Sequence, residues 1–157
     1  MPYTILRSGF LMEVWLSPML GFDPLNARAE IYGTGEQSIR WISVLDVARY
    51  AVASLENPYA IGAVRTLTGP EPISPRQVIG LFEREGRSIF EVTRVPVEAP
   101  QRQLQDAADP LQKSQVGLKI AYASGEPPDR ESALGAFSTR LRTVADYARY
   151  VLSTFTK

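Results

Sequence analysis

The sequence contains no cysteine and no histidine. Without Cys there are no disulfides, no thiolate nucleophile and no thiolate metal site. Without His the Ser-His-Asp triad, the usual zinc ligands and the commonest general base near neutral pH are excluded. Any chemistry must rest on carboxylates, Tyr, Lys, Arg, Ser or backbone groups. Net charge is missing as well: 17 Lys and Arg balance 17 Asp and Glu, so electrostatics give no support to a nucleic-acid or membrane-surface partner. No apolar run approaches the roughly 20 residues needed to span a bilayer. The N-terminus lacks the basic-then-apolar layout of a signal peptide, so a cytoplasmic location is expected.

What is present is the composition of an ordinary globular domain, 157 residues with 45% hydrophobic and 22% charged, enough for one core. No internal repeat, low-complexity tract or linker divides it, and a single domain over residues 1–157 is expected. The opening stretch MPYTILRSGF reads as a strand that is apolar on both sides, as in a sheet interior covered on both faces. A short apolar helical piece follows and ends before Pro18. RAEIYGTGEQSIRWIS reads as two strands joined by a hairpin turn at Gly33-Thr34-Gly35. That GxG is no phosphate loop, because no helix follows it directly and a third glycine is missing.

SVLDVARYAVASLENP carries the clearest helix signal. Ser43 and Asp46 are placed for a capping box, and Val44, Val47, Ala48, Ala51, Val52 and Leu55 recur at helical spacing. Asn57-Pro58 stops it. AVRTLTGP is the next strand. SPRQVIGLFEREG is the next helix, with Ser74 as cap, Pro75 at its first position and Gly86 just past its end. FEVTRVP adds a strand. A helix capped by Asp109 and another opened by Thr143 and Asp146 follow, the last with Val144, Tyr147, Ala148, Val151 and Phe155 as its apolar stripe. The polar stretch GEPPDRESALGAF between them reads as a loop. The order of elements is that of an α/β fold with a few-stranded, partly parallel sheet and packed helices.

YTILRSGFLMEVWL, ISVLDVARYAVASLENP, LTGPEPISPRQVIGLFEREGR and TVADYARYV, in that order, resemble the C-terminal half of an NmrA-like protein of the atypical short-chain dehydrogenase/reductase group. The resemblance covers nearly the whole chain. It implies a truncated Rossmann-type fragment, whose first strand would join a parallel sheet begun in an N-terminal dinucleotide-binding half. The Gly-rich fingerprint that lets a backbone approach pyrophosphate has no counterpart here, and no Tyr is followed four residues later by Lys: Tyr3 is followed by Arg7 and Tyr122 by Glu126. NAD(P) binding and reductase activity are therefore not expected. The resemblance places Ser8, Gly9 and Phe10 at the nicotinamide side of a cleft, with Met12, Glu13 and Trp15 on the wall behind. The family commonly has proline where Ser8 stands.

Read on their own, Met12 and Trp15 suit a core, Ser8 a turn and Asp46 a helix cap. Three functions remain open. The chain is an oligomeric module without inherited catalysis, one half of a split dinucleotide-binding protein, or a fragment with an acquired metal-assisted hydrolase activity on activated (phospho)esters. The expected partner is a second copy, most simply in a dimer through the N-terminal strand, whose unpaired backbone groups are a template for pairing. A metal in the hydrolase case would rest on oxygen ligands, which suit Mg²⁺, Mn²⁺ or Ca²⁺ better than a closed zinc site, with a weak Zn²⁺ site on carboxylates as the alternative. Glu13 and the pair Asp106 and Asp109 are the carboxylates placed for it, although solvation for Glu13 and Asp106 and helix capping for Asp109 explain each one singly.

Overall fold

In a computed structural model of the chain, residues 1–125 and 140–155 are described, the side chain of Phe155 excepted. The expected loop GEPPDRESALGAF lies, apart from Gly125, outside them. Among the described residues eight strands form three small sheets instead of one. The first strand signal is split by Gly9 into β1 (Ile5–Ser8) and β2 (Phe10–Leu11). Among the described residues strand β1 pairs, in parallel, only with β6 (Val64–Leu67), while β2 runs parallel to β5 (Ile39–Ile42). Strand β5 also pairs with the short β7 (Pro72–Ile73). The third sheet sets β4 (Arg28–Tyr32) between β3 (Phe22–Asp23) and the parallel β8 (Glu91–Val95).

The hairpin expected at Gly33-Thr34-Gly35 does not form. Strands β4 and β5 belong to different sheets. Both glycines take positive φ, 78° and 74°, which suits a turn. The turn redirects the chain: Gly35 O accepts from Arg76 N at 3.2 Å, and an added Cβ at Gly35 would lie 2.7 Å from Ile31 Cγ2. Tertiary packing against the next helix outweighs local pairing here.

The helices are α1 (Met12–Trp15), α2 (Val44–Leu55), α3 (Pro75–Gly86), α4 (Glu98–Asp106), α5 (Pro110–Ser124) and α6 (Val144–Phe155). The expected capping box of α6 forms: Asp146 N donates to Thr143 Oγ1 and Thr143 N to Asp146 Oδ2, each at 3.1 Å. Helix α3 has the same reciprocal device in Ser74 and Gln77, but it ends one residue later than expected. Gly86 is its last helical residue, facing Leu152 of α6, and Arg87 takes the left-handed conformation at φ 49°. Helix α4 was not expected from the sequence; its Pro100 falls in the first turn, where a missing N–H removes no helical bond.

The main core is aromatic, and gathers Phe10, Trp15, Phe22, Trp41, Phe82 and Phe90 with α3 and α6 against it. A second, smaller cluster joins Ile42, Tyr50, Leu67 and Leu141, with Leu6 and Val47 packed onto it. Helix α2 therefore lies over one face of the β1–β6 pair. Two expectations fail at this place. Strand β1 is no interior strand, since Ile5 is 44% exposed and both Arg7 and Ser8 are exposed. The apolar stripe of α2 does not face inward either. Val44, Val52 and Leu55 are 46%, 61% and 88% exposed, and the buried positions are Asp46, Tyr50 and Ser54.

Candidate functional site

The six residues assigned to a cleft divide into two groups. Phe10, Met12 and Trp15 are buried. The Phe10 ring lies 4.5 Å from Trp15 and 5.9 Å from Trp41, and Trp15 stacks on Tyr122 of α5 at 5.9 Å with 13° between planes. These side chains are core, as the composition of the segment suggested. Gly9 is where the chain passes from one sheet to the next, its N–H donating to Leu67 O at 2.8 Å. Ser8 stays at the exposed end of β1. Glu13 is not free, because its carboxylate accepts from Val44 N at 2.9 Å. That acid at the start of α2 complements the helix dipole.

Asp46 does not complete a capping box with Ser43. Ser43 caps α2 alone, accepting from Leu45 N at 3.0 Å. The Asp46 carboxylate is fully buried and turns elsewhere, accepting from Arg142 N at 2.8 Å and from Arg49 at 3.0 Å. Asp109 does cap α5, accepting from Leu111 N and Gln112 N at 2.9 Å each. Asp106 lines a separate shallow cavity of about 370 Å³ with Gln103, Gln112, Gln115 and Lys119. Among the described residues no three Asp or Glu side chains converge as metal ligands. Glu13 and Asp109 are each engaged locally, Asp106 only lines that cavity, and among the described residues the three belong to no common cluster.

One polar constellation escaped the sequence reading. Tyr32 donates to Glu30 Oε2 at 2.5 Å, and the Lys119 ammonium stands 5.5 Å from the Tyr32 ring centre. The period-2 placement of Glu30 and Tyr32 on one strand was the available signal. Burial, reinforced by Glu30, raises the Tyr32 phenol well above its ordinary range. A phenol held protonated in this way is no proton relay near neutral pH, and the group reads as structural.

The feature left unexplained by packing is the face around β1. The N–H groups of Ile5 and Gly9 donate to Ala63 O and Leu67 O, and Gly62 N donates to Tyr3 O. Odd-numbered residues therefore point their backbone groups at β6, and alternation turns those of Thr4, Leu6 and Ser8 to the open edge. On the face away from α2, Tyr3, Ile5 and Val64 are 57%, 44% and 48% exposed. Parallel strands normally have both faces covered, and two strands alone are marginal in water. An edge strand of the third sheet, β8, is guarded differently: Glu91 and Arg94 lie along it, and Glu91 pairs with Arg28 at 3.3 Å. Charge on an edge is the usual protection against pairing, and β1 carries only Arg7.

No family model matches the chain. It is 27% identical over 127 residues to the isoflavone reductase homolog IRL of Zea mays, a match that spans 78% of this chain and 40% of that protein. Among solved structures it superposes on the binary leucoanthocyanidin reductase–NADPH complex of Vitis vinifera with a TM-score of 0.81 at 10% identity, covering 98% of this chain and 55% of that one. An isoflavone reductase structure gives 0.76 at 18% identity, over 96% and 52%. A nucleoside-diphosphate-sugar epimerase of Staphylococcus aureus gives 0.68 at 20%, over 95% and 52%. The chain thus has the fold of about half of a Rossmann-like reductase, and its relatives are isoflavone reductase-like and NmrA-like proteins, as the sequence blocks implied. It spans about half the length of the proteins it matches.

Proposed function

We propose that this chain acts as the substrate-side half of a reductase-type α/β fold, without a dinucleotide site or reductase activity of its own, and works as an association module. The observation that carries this reading is the β1–β6 pair, which among the described residues is a two-stranded sheet bare on one face, beside a helix most of whose apolar stripe points outward. In the similar reductases about half of the chain lies beyond the matched region, and a sheet of this type is continued and covered by further strands and helices. The cover we assign to this face is a second molecule, most simply another copy about a two-fold axis.

The glycine turn supports the same reading. Pyrophosphate binding needs a glycine turn that opens directly into a helix, whose free N–H groups face the ligand. Gly33 and Gly35 lead into β5, and the N-terminus of α3 beside them is already capped by Ser74 Oγ and Gly35 O. Calorimetric titration with NADH and NADPH is expected to show nothing tighter than millimolar, while light scattering on a sizing column gives a mass above that of one chain. Micromolar dinucleotide binding, or a monodisperse monomer at micromolar concentration, refutes the proposal.

A further inference from the structure

We infer that the association face closes on a second copy of this chain by antiparallel pairing of β1 with its symmetry mate, in a register centred on Leu6. The inference rests on the association reading above and specifies its geometry.

The edge of β1 is self-complementary. Thr4, Leu6 and Ser8 turn their N–H and C=O groups outward, and among the described residues nothing pairs with them. Run antiparallel against itself about Leu6, the segment Thr4-Ile5-Leu6-Arg7-Ser8 matches like a palindrome. Leu6 meets Leu6 of the partner subunit as a bonded pair, and Thr4 meets Ser8 of the partner subunit on either side, each exchanging both backbone bonds. The Thr4 hydroxyl already donates to Ala60 O at 2.7 Å, so across the pair its oxygen accepts from the hydroxyl of Ser8 of the partner subunit. On the other face Ile5 stands opposite Arg7 of the partner subunit, whose aliphatic stem covers exposed apolar surface while its charge stays in water.

Neighbouring registers are worse for stated reasons. Centring on Arg7 sets two guanidinium side chains directly opposite, in a non-bonded pair with Cα atoms only about 4.5 Å apart, where like charges repel. Centring on Ile5 sets Ser8 opposite Pro2, which has no N–H to give. Only the Leu6 register uses every outward group and separates the two arginines.

The absence of cysteine from the chain makes the test direct. Leu6→Cys, Arg7→Cys and Ser8→Cys are made singly and oxidised at micromolar concentration, and the products are resolved without reductant. In the Leu6 register the two residues at position 6 have Cα atoms about 5.5 Å apart, within disulfide reach. Those at position 7 are offset along the strands and lie about 8 Å apart, beyond it. Leu6→Cys is expected to form a covalent dimer and the other two to remain single chains. A second variant, Ser8→Pro, removes an outward N–H that β6 does not use. It is expected to weaken dimerisation tenfold or more, with helical circular dichroism unchanged. Preferential cross-linking through Arg7→Cys, or a dimer by light scattering that Ser8→Pro leaves intact, overturns the register while the association reading survives. A monomer by light scattering overturns both.

Discussion

Replacing Asp46 by alanine tests how α2 is held on the body of the protein. Its carboxylate is fully buried, with one oxygen 2.8 Å from Arg142 N and the other 3.0 Å from the Arg49 guanidinium. Arg142 is far along the chain, just before α6, so this one side chain ties two distant segments together. The two contacts differ in worth. Half of the Arg49 side chain is exposed, at 49%, and pairs that reach solvent give about 0.2–1 kcal/mol. A hydrogen bond to a charged acceptor is worth about 1.5–3 kcal/mol, and its loss leaves the Arg142 donor without a partner.

Asp46→Ala is therefore expected to cost about 2–4 kcal/mol, and Arg49→Ala less than about 1 kcal/mol. Asp46→Asn keeps an oxygen for Arg142 N and should fall between the two. The measurement is urea unfolding at one fixed protein concentration, because association shifts apparent stability by mass action. The midpoint should move without change in slope. Amide exchange at Arg142 should accelerate in Asp46→Ala and remain slower in Asp46→Asn. An alanine variant within about 1 kcal/mol of the parent, or one no worse than Arg49→Ala, refutes the argument that the Arg142 bond carries the tie.

Two further outcomes follow from packing and titration. An added Cβ at Gly69 would lie 1.7 Å from Trp41 O and 2.5 Å from Trp41 C, atoms of a strand that cannot step aside, so Gly69→Ala should lower the thermal midpoint by more than Gly80→Ala, whose position is open; equal midpoints refute this. Burial, with Glu13 and Tyr150 adding to it, raises the Tyr147 phenol from 10.0 to about 12 in the folded chain. The stabilisation of its neutral form is thus complete below pH 10 and is lost as pH rises from 10 through 12. Tyr147→Phe should flatten the alkaline fall in stability, measured by urea unfolding across that range, and an unchanged slope sinks the assignment.

Local signals in the sequence were legible wherever they were self-contained. Ser74, Asp109 and Thr143 cap helices as their spacing implied, because a cap needs only the backbone a few residues on. Met12 and Trp15 are core, as expected from a short apolar stretch. The errors fall where the partner is distant. The glycines at 33 and 35 gave a true turn but a false hairpin, since the choice between β4–β5 pairing and separate sheets depends on α3. Asp46 satisfied the local pattern of a capping box, yet a backbone N–H 96 residues away took its carboxylate. The Glu30–Tyr32 pair went unseen because an acid and a phenol two apart are common on any strand.

Two further errors, the exposed β1 and the outward stripe of α2, differ in kind, because there the sequence obeys the rules of burial and the described residues do not supply the cover. Periodicity reports which face is meant to be buried, never what buries it. Ile5, Val44, Val52, Leu55 and Val64 stand between 44% and 88% exposed. Full burial of such a side chain is worth about 1.5–3 kcal/mol, so covering the exposed parts of these five offers roughly 4–9 kcal/mol. Backbone bonds along β1 add about 0.5–1.5 kcal/mol each. Association costs an estimated 4–15 kcal/mol in lost freedom. Gain and cost are of the same order, so the face favours a partner without guaranteeing a tight one. Covering β1 alone leaves most of the α2 stripe in water, since its residues lie on the helix side turned away from Leu6. A second copy paired through β1 as proposed would therefore recover only part of the available energy, and dilution would separate such a dimer.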